Sequence, residues 1–166
     1  MRKRLFRGKT IGDETEPGEW VCGDLETLHD GQIRITCLVN QDSGGTLLFS
    51  IRVIPETVGE FTGLVDSNGV NIFEGDIIHF EEQENYDWAE ETKDDGEDAI
   101  RHKWVTGAIE WQGDDGIPGY DIRPRFDCEW NRLQELFHVG SYSVEVIGNI
   151  HDNPELLEGA GYEHKT

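Results

Sequence analysis

Residues 32–39, QIRITCLV, alternate so that Ile33, Ile35 and Cys37 share one face and Arg34 and Thr36 the other. Residues 46–53, TLLFSIRV, place Leu47, Phe49, Ile51 and Val53 together, opposite Ser50 and Arg52. A period of two is that of a half-buried strand, because successive side chains leave a strand on opposite faces. The turn-forming NQDSGG between the two runs predicts that they form a hairpin. Further on, HKWVTGAIEWQG (102–113) aligns Val105, Ile109 and Trp111, with Gly107 between them as an expected bulge. SYSVEVIGNI (141–150) aligns Val144, Val146, Gly148 and Ile150. Helical signals are few. In DNPELLEG (152–159), Asn153 is placed to cap, Pro154 fits the first helical position, and Gly159 stops the helix after one or two turns. CEWNRLQELFHVG (128–140) brings Trp130, Leu133, Leu136 and Phe137 to one side of a second short helix. Many short strands with Gly-rich turns predict a mainly β protein, a barrel or a sandwich.

Composition narrows the class. The chain of 166 residues suits one domain. No apolar run approaches the roughly 20 residues of a membrane helix. The opening MRKRLFRGKTIG is basic but lacks the apolar stretch of a secretion signal, so a cytoplasmic location is expected, with no membrane partner. Cys22, Cys37 and Cys128 are odd in number and far apart, which predicts structural thiols rather than a disulfide frame or a zinc site.

Charge changes the picture more. The formal net charge is −21, although Arg2, Lys3, Arg4, Arg7 and Lys9 stand within the first nine residues without an acid among them. A chain this acidic repels phosphate backbones at long range, which disfavours nucleic acid as a partner. Residues 81–98, EEQENYDWAEETKDDGED, hold ten acids, one base (Lys93) and only Tyr86 and Trp88 as large apolar groups. So little apolar surface cannot offset the entropy of ordering, so the segment reads as a mobile acidic loop. Its acids do not follow the alternating oxygens and closing Glu of a calcium loop. If it meets a partner, Tyr86 and Trp88 are the candidate contacts.

The stretch EFTGLVDSNGVNIFEGDIIHF (60–80) reads as a hairpin feeding a further strand. Asn68-Gly69 suits a tight turn with left-handed backbone, and Glu74-Gly75-Asp76 makes a second corner before Ile77, Ile78 and Phe80. Thr57, Val58, Gly59, Phe61, Thr62, Gly63, Leu64, Asp66, Asn68, Gly69, Ile72, Phe73, Glu74, Gly75 and Asp76 follow the form T-V-G-x-[YF]-T-G-L-x-D-x-N-G-x-x-I-[YF]-E-G-D-I. Glu145, Val146, Ile147, Gly148, Asn149 and Ile150, then Asn153, Pro154, Glu155, Leu156 and Leu157, follow E-V-I-G-N-I-[YH]-[ED]-N-P-E-L-L. Two such segments in this order resemble the YopX family of phage and prophage proteins; RLFRGK and WVCGDL are similar to its opening. The resemblance implies a β-rich fold with an SH3-like barrel portion and further β-hairpins. It also implies a phage or prophage origin in a bacterial host, and no particular activity. The acidic stretch 81–98 looks like an insertion relative to shorter members. One domain over 1–166 is expected, with an N-terminal β subdomain over 1–55 packed on a barrel portion over 56–158.

Catalytic motifs are not apparent. His29, His79, His102, His138, His151 and His164 show no metal-ligand spacing, and neither a nucleophile elbow nor a phosphate loop is present. No catalytic residue, metal or cofactor is assigned. The sequence supports a non-enzymatic interaction module whose partner is a host or phage protein. Two further readings are a nucleic-acid-associated factor binding through Arg2, Lys3, Arg4 and Arg7, and, weakest, a hydrolase with an acidic metal site. Short strands leave edges, so self-association into a homo-oligomer is also expected.

Overall fold

A computed structural model describes residues 4–12, 16–40, 44–83, 102–113, 119–123, 132–138, 143–158 and 163–164. Most of the acidic stretch, with Tyr86 and Trp88, lies outside the described residues, as do Arg2, Lys3, Cys128 and Trp130. The chain divides into two units, one of residues 1–65 and 71–75 and one of residues 66–70 and 76–166.

In the first unit β1 (Phe6–Lys9), β2 (Trp20–Thr27), β3 (Ile33–Asn40), β4 (Thr46–Arg52), β5 (Gly59–Val65) and β6 (Asn71–Phe73) form one antiparallel sheet in the order β4-β3-β2-β1-β5-β6. The predicted hairpin of β3 and β4 is present, with Ile35 opposite Ile51 and Cys37 opposite Phe49. Its proximal end is core: Ile35, Ile51 and Val53 are buried. Gly8 on β1 lets that end close up, because a Cβ there would sit 3.1 Å from Val53 and 3.3 Å from Ile35. An isolated bridge from Thr10 to Val53 bends the end of β4 toward the end of β1.

The second unit is an antiparallel sheet in which β10 (Val144–Asn149), β7 (Asp76–Gln83), β8 (His102–Gln112) and β11 (Glu163–His164) are neighbours in that order. β9 (Gly119–Arg123) pairs with the C-terminal half of β8. The core is Ile77, Ile78, Phe80, Val105, Ile109, Ile122 and Val144, joined by Leu133 and Leu136 of the short helix α1 (Leu133–His138).

The mainly β class holds, and so do the two short helical elements near the C-terminus. Among the described residues the strands form two antiparallel sheets and not a closed barrel. The bulge expected at Gly107 is absent, since β7 and β8 stay in register through Ile78 opposite Gly107. The irregularity falls on β10 instead, where Val146 faces Ile78 and Gly148 faces Ile77, leaving Ile147 as the extra residue. Pro154–Leu157 forms a single 3-10 turn without a side-chain cap, because Asn153 Oδ1 is turned back toward the Asn149 amide at 3.4 Å.

Candidate functional site

Asp66 of the first sequence segment and β10 of the second come together, and the side-chain oxygens of Thr57, Thr62, Asp66, Asn149 and Asn153 bond main-chain groups. At the tip of the β5–β6 hairpin, Asp66 is 5% exposed, and its Oδ1 accepts from the amides of Asn68 and Val70, both at 2.8 Å. Its Oδ2 accepts from the Val146 amide at 3.1 Å. Ser67 reinforces the joint: its amide donates to the Val144 carbonyl at 2.8 Å, and its Oγ accepts from the Val144 amide at 3.0 Å. The tip residues and β10 therefore share a clasp built on one carboxylate. Gly69 completes the turn at φ 82°, where a side chain would be strained.

The stem repeats the theme. Thr62 Oγ1 donates to the Ile72 carbonyl at 2.8 Å and accepts from the Leu64 amide at 3.2 Å. Thr57 Oγ1 accepts from the Lys9 amide at 2.9 Å and donates to the Ile54 carbonyl at 2.7 Å. Phe61 and Phe73 face each other with centroids 5.5 Å apart. Gly59 lies so close to β6's exit that a Cβ would meet the Glu74 carbonyl oxygen at 2.3 Å. Beyond Gly75, Asp76 is 1% exposed and pairs with Asn149 in the β7–β10 ladder. Asn149 Oδ1 accepts from the amides of His151 and Asp152, each at 3.0 Å, and its Nδ2 donates to Asp152. Gly148 makes room for Asn153, whose Oδ1 a Cβ would approach to 2.6 Å. Of the remaining segment residues, Glu145, Ile147, Ile150 and Pro154 are exposed. This constellation is a frame. It aligns no nucleophile with a base.

The basic N-terminus is likewise engaged internally. Arg4 makes a two-pronged pair with Glu60 and stands over Phe6. The Arg7 guanidinium is packed over Trp20 at 4.7 Å and Phe73 at 4.9 Å, and Lys9 reaches Trp20 at 5.7 Å. In the second unit, His79 stacks flat on Trp104 at 4.5 Å, and its Nδ1 is 2.8 Å from Thr106 Oγ1, an arrangement of packing rather than of proton transfer. Among the described residues no cluster of three or more His, Cys, Asp or Glu could hold a metal ion. No helix of the described residues is long and apolar enough to cross a membrane.

The surface that stands out includes Leu47 and Phe49, which the period of two groups with the buried Ile51 and Val53. On the distal half of the β3–β4 hairpin, Leu47 and Phe49 are each 42% exposed, Leu48 67% and Leu38 65%. Leu38 and Leu48 oppose each other across the ladder, and Phe49 and Leu47 lie on the other face of β4. β4 is the outer strand of its sheet. The missed signal was in the run TLLFS itself, which carries apolar residues on both faces without a charge.

Residues 12–158 match the family model described as YopX protein. Protein EF1440 from Enterococcus faecalis, known from a crystal structure, is similar with a TM-score of 0.49 and 22% identity, over 95% of this chain and 99% of that one. No curated protein matches the chain.

Proposed function

The chain belongs to the YopX protein family, and from that premise we propose that it is a phage- or prophage-encoded accessory protein of the bacterial cytoplasm that acts by binding another protein chain, not by catalysis. The observation that carries this reading is the exposed apolar end of the β3–β4 hairpin, Leu38, Leu47, Leu48 and Phe49. Three large side chains left in water on an outer strand and a fourth on the strand beside it favour a second surface, and exposed apolar groups of that kind mark binding sites. The chain's acidity supports a protein partner over nucleic acid, since −21 repels phosphate. The nucleic-acid alternative is weakened further because Arg4 and Arg7 already hold intramolecular partners.

The test is protein capture by the immobilised full chain, with either its own tagged copy or a host lysate as the source, comparing wild type with Leu47→Glu/Phe49→Glu. Wild type retains a protein that the variant loses. Capture of nothing from either source, or equal capture by both proteins, refutes the reading.

A further inference from the structure

We infer that the occupant of this edge is a second copy of the chain, β4 lying antiparallel to β4 about a two-fold axis at Leu48; this rests on the binding reading above and names its partner. The hydrogen-bond phase of the ladder sets the geometry. The Val53 amide donates to the Ile33 carbonyl at 3.1 Å, so that pair, and with it Ile35/Ile51 and Cys37/Phe49, turns amides and carbonyls toward the β3–β4 interface. Leu48 and Ser50 alternate with these and present their main chain to the outer edge, as Arg52 does where its carbonyl accepts from the Ile11 amide. Among the described residues no strand pairs with that edge at Leu48.

Placing the axis at Leu48 lets its amide and carbonyl exchange both bonds with the Leu48 of the second copy. Ser50 then lies opposite Thr46, and its carbonyl, which already accepts from the Arg34 guanidinium, keeps a second lone pair. On one face Phe49 meets Leu47 of the second copy, twice by symmetry. On the other the two Leu48 side chains meet, each backed by its own Leu38. Every exposed apolar residue of the hairpin end finds an apolar neighbour, which an arbitrary foreign peptide would not supply on both faces.

Area and charge set how firmly the copies hold. If each of these residues offers roughly 200 Å² when fully exposed, the exposed apolar area per copy is about 260 Å² at Leu38 and Leu48 on one face and about 170 Å² at Leu47 and Phe49 on the other. Edge-to-edge pairing covers only part of this area in each copy, because the sheet faces stay open, so the interface falls below the roughly 1,200 Å² at which stable specific interfaces begin. The result is a reversible, concentration-dependent dimer. Two chains of net charge −21 repel as a whole, yet Thr46–Ser50 is uncharged and has Arg34 and Arg52 beside it as well as Glu26, which Ser50 Oγ reaches at 3.4 Å, so this edge carries no excess of negative charge.

Sedimentation of the full chain tests the inference. The mass should rise with concentration from 18.9 kDa toward twice that value. Raising salt from about 0.1 M to about 1 M, which shortens the screening length from roughly 10 Å to 3 Å, should strengthen the dimer; a partner bound by opposite charge would be weakened instead. Leu48→Lys places two like charges on the axis and should sediment as monomer while melting like dilute, monomeric wild type. In a background with Cys22, Cys37 and Cys128 all changed to Ser, Leu48→Cys should oxidise to a covalent dimer, because directly opposed residues stand about 5.5 Å apart at Cα, within disulfide reach. Ser50→Cys, displaced from the axis, should not. A monomer at every concentration and salt, a Leu48→Lys variant that dimerises like wild type, or equal cross-linking at positions 48 and 50 overturns the proposal. A monomeric chain that still captures a host protein through Leu47 and Phe49 overturns it while leaving the binding reading standing.

Discussion

Asp66→Ala is the sharpest probe of the frame. The substitution removes one buried carboxylate and with it the acceptor of three backbone amides, those of Asn68, Val70 and Val146. Hydrogen bonds to a charged group contribute about 1.5–3 kcal/mol each, and a buried donor left without an acceptor costs about 1–3 kcal/mol. The three are not equivalent. Asn68 and Val70 are exposed residues, so water can replace part of what their amides lose, whereas Val146 is half-buried on β10. The expected loss is therefore about 3 kcal/mol, with the Val146 amide the largest single contributor. With a urea slope of about 2 kcal/mol per molar, the unfolding midpoint of the second unit should fall by about 1.5 M. Asp66→Asn keeps an acceptor for the turn but directs an amide group at the Val146 N–H, so it should recover about half of that loss. Hydrogen exchange adds a local readout, with the Val146 amide losing protection in both variants. An Asp66→Ala protein whose midpoint and Val146 exchange match wild type would refute the clasp.

Other perturbations separate backbone strain from packing. Gly69→Val should cost about 1–2 kcal/mol, because φ 82° is strained for a branched residue although no atom lies within 4 Å of the new Cβ; Gly69→Asn, which tolerates that backbone, should cost less in the same denaturation series. Gly59→Ala should be worse than either, since its Cβ would collide with the Glu74 carbonyl at 2.3 Å, and thermal melting should show the larger drop. Arg7→Lys should destabilise by about 0.5–2 kcal/mol by losing a planar cation packed against Trp20 and Phe73, with little recovery in high salt. Glu60→Gln should change stability by less than about 1 kcal/mol, because its partner Arg4 is largely exposed.

How much was legible depended on the range of the interaction. β3 and β4 followed from their period of two, and the turn at Asn68-Gly69 from two residues that relieve left-handed strain. The short helix at Leu133 and the turn at Pro154 were visible from spacing and from proline's fixed φ. What failed was whatever a distant neighbour decides. A period of two says which residues share a face, not where cover ends: β1 reaches Val53 through Gly8 but leaves Leu47 and Phe49 in water. A bulge is a property of a pair, so Gly107 stays in the ladder while the extra residue is Ile147. Asn153 cannot cap its own turn because its side chain faces Asn149. The bond from Val146 to Asp66 spans 80 positions, and neither residue alone announces it.

That last bond also explains where function should be sought. Asp66, Thr62, Thr57 and Asn149 are among the polar residues that make the two segments recognisable, and each has its side-chain oxygen directed at main-chain amides or carbonyls. An oxygen held this way fixes backbone position, and using it for chemistry would require breaking the bonds that order the turn. Such residues specify a shared frame and leave the partner open. The exposed apolar surface, Leu38 and Leu47 to Phe49, falls outside both segments. A chain can therefore keep every segment residue and change its partner by altering this one hairpin end. Exchanging residues 38–49 between two members of the family should transfer binding preference without moving the Asp66 clasp, because no hydrogen bond of that clasp involves the β3–β4 hairpin.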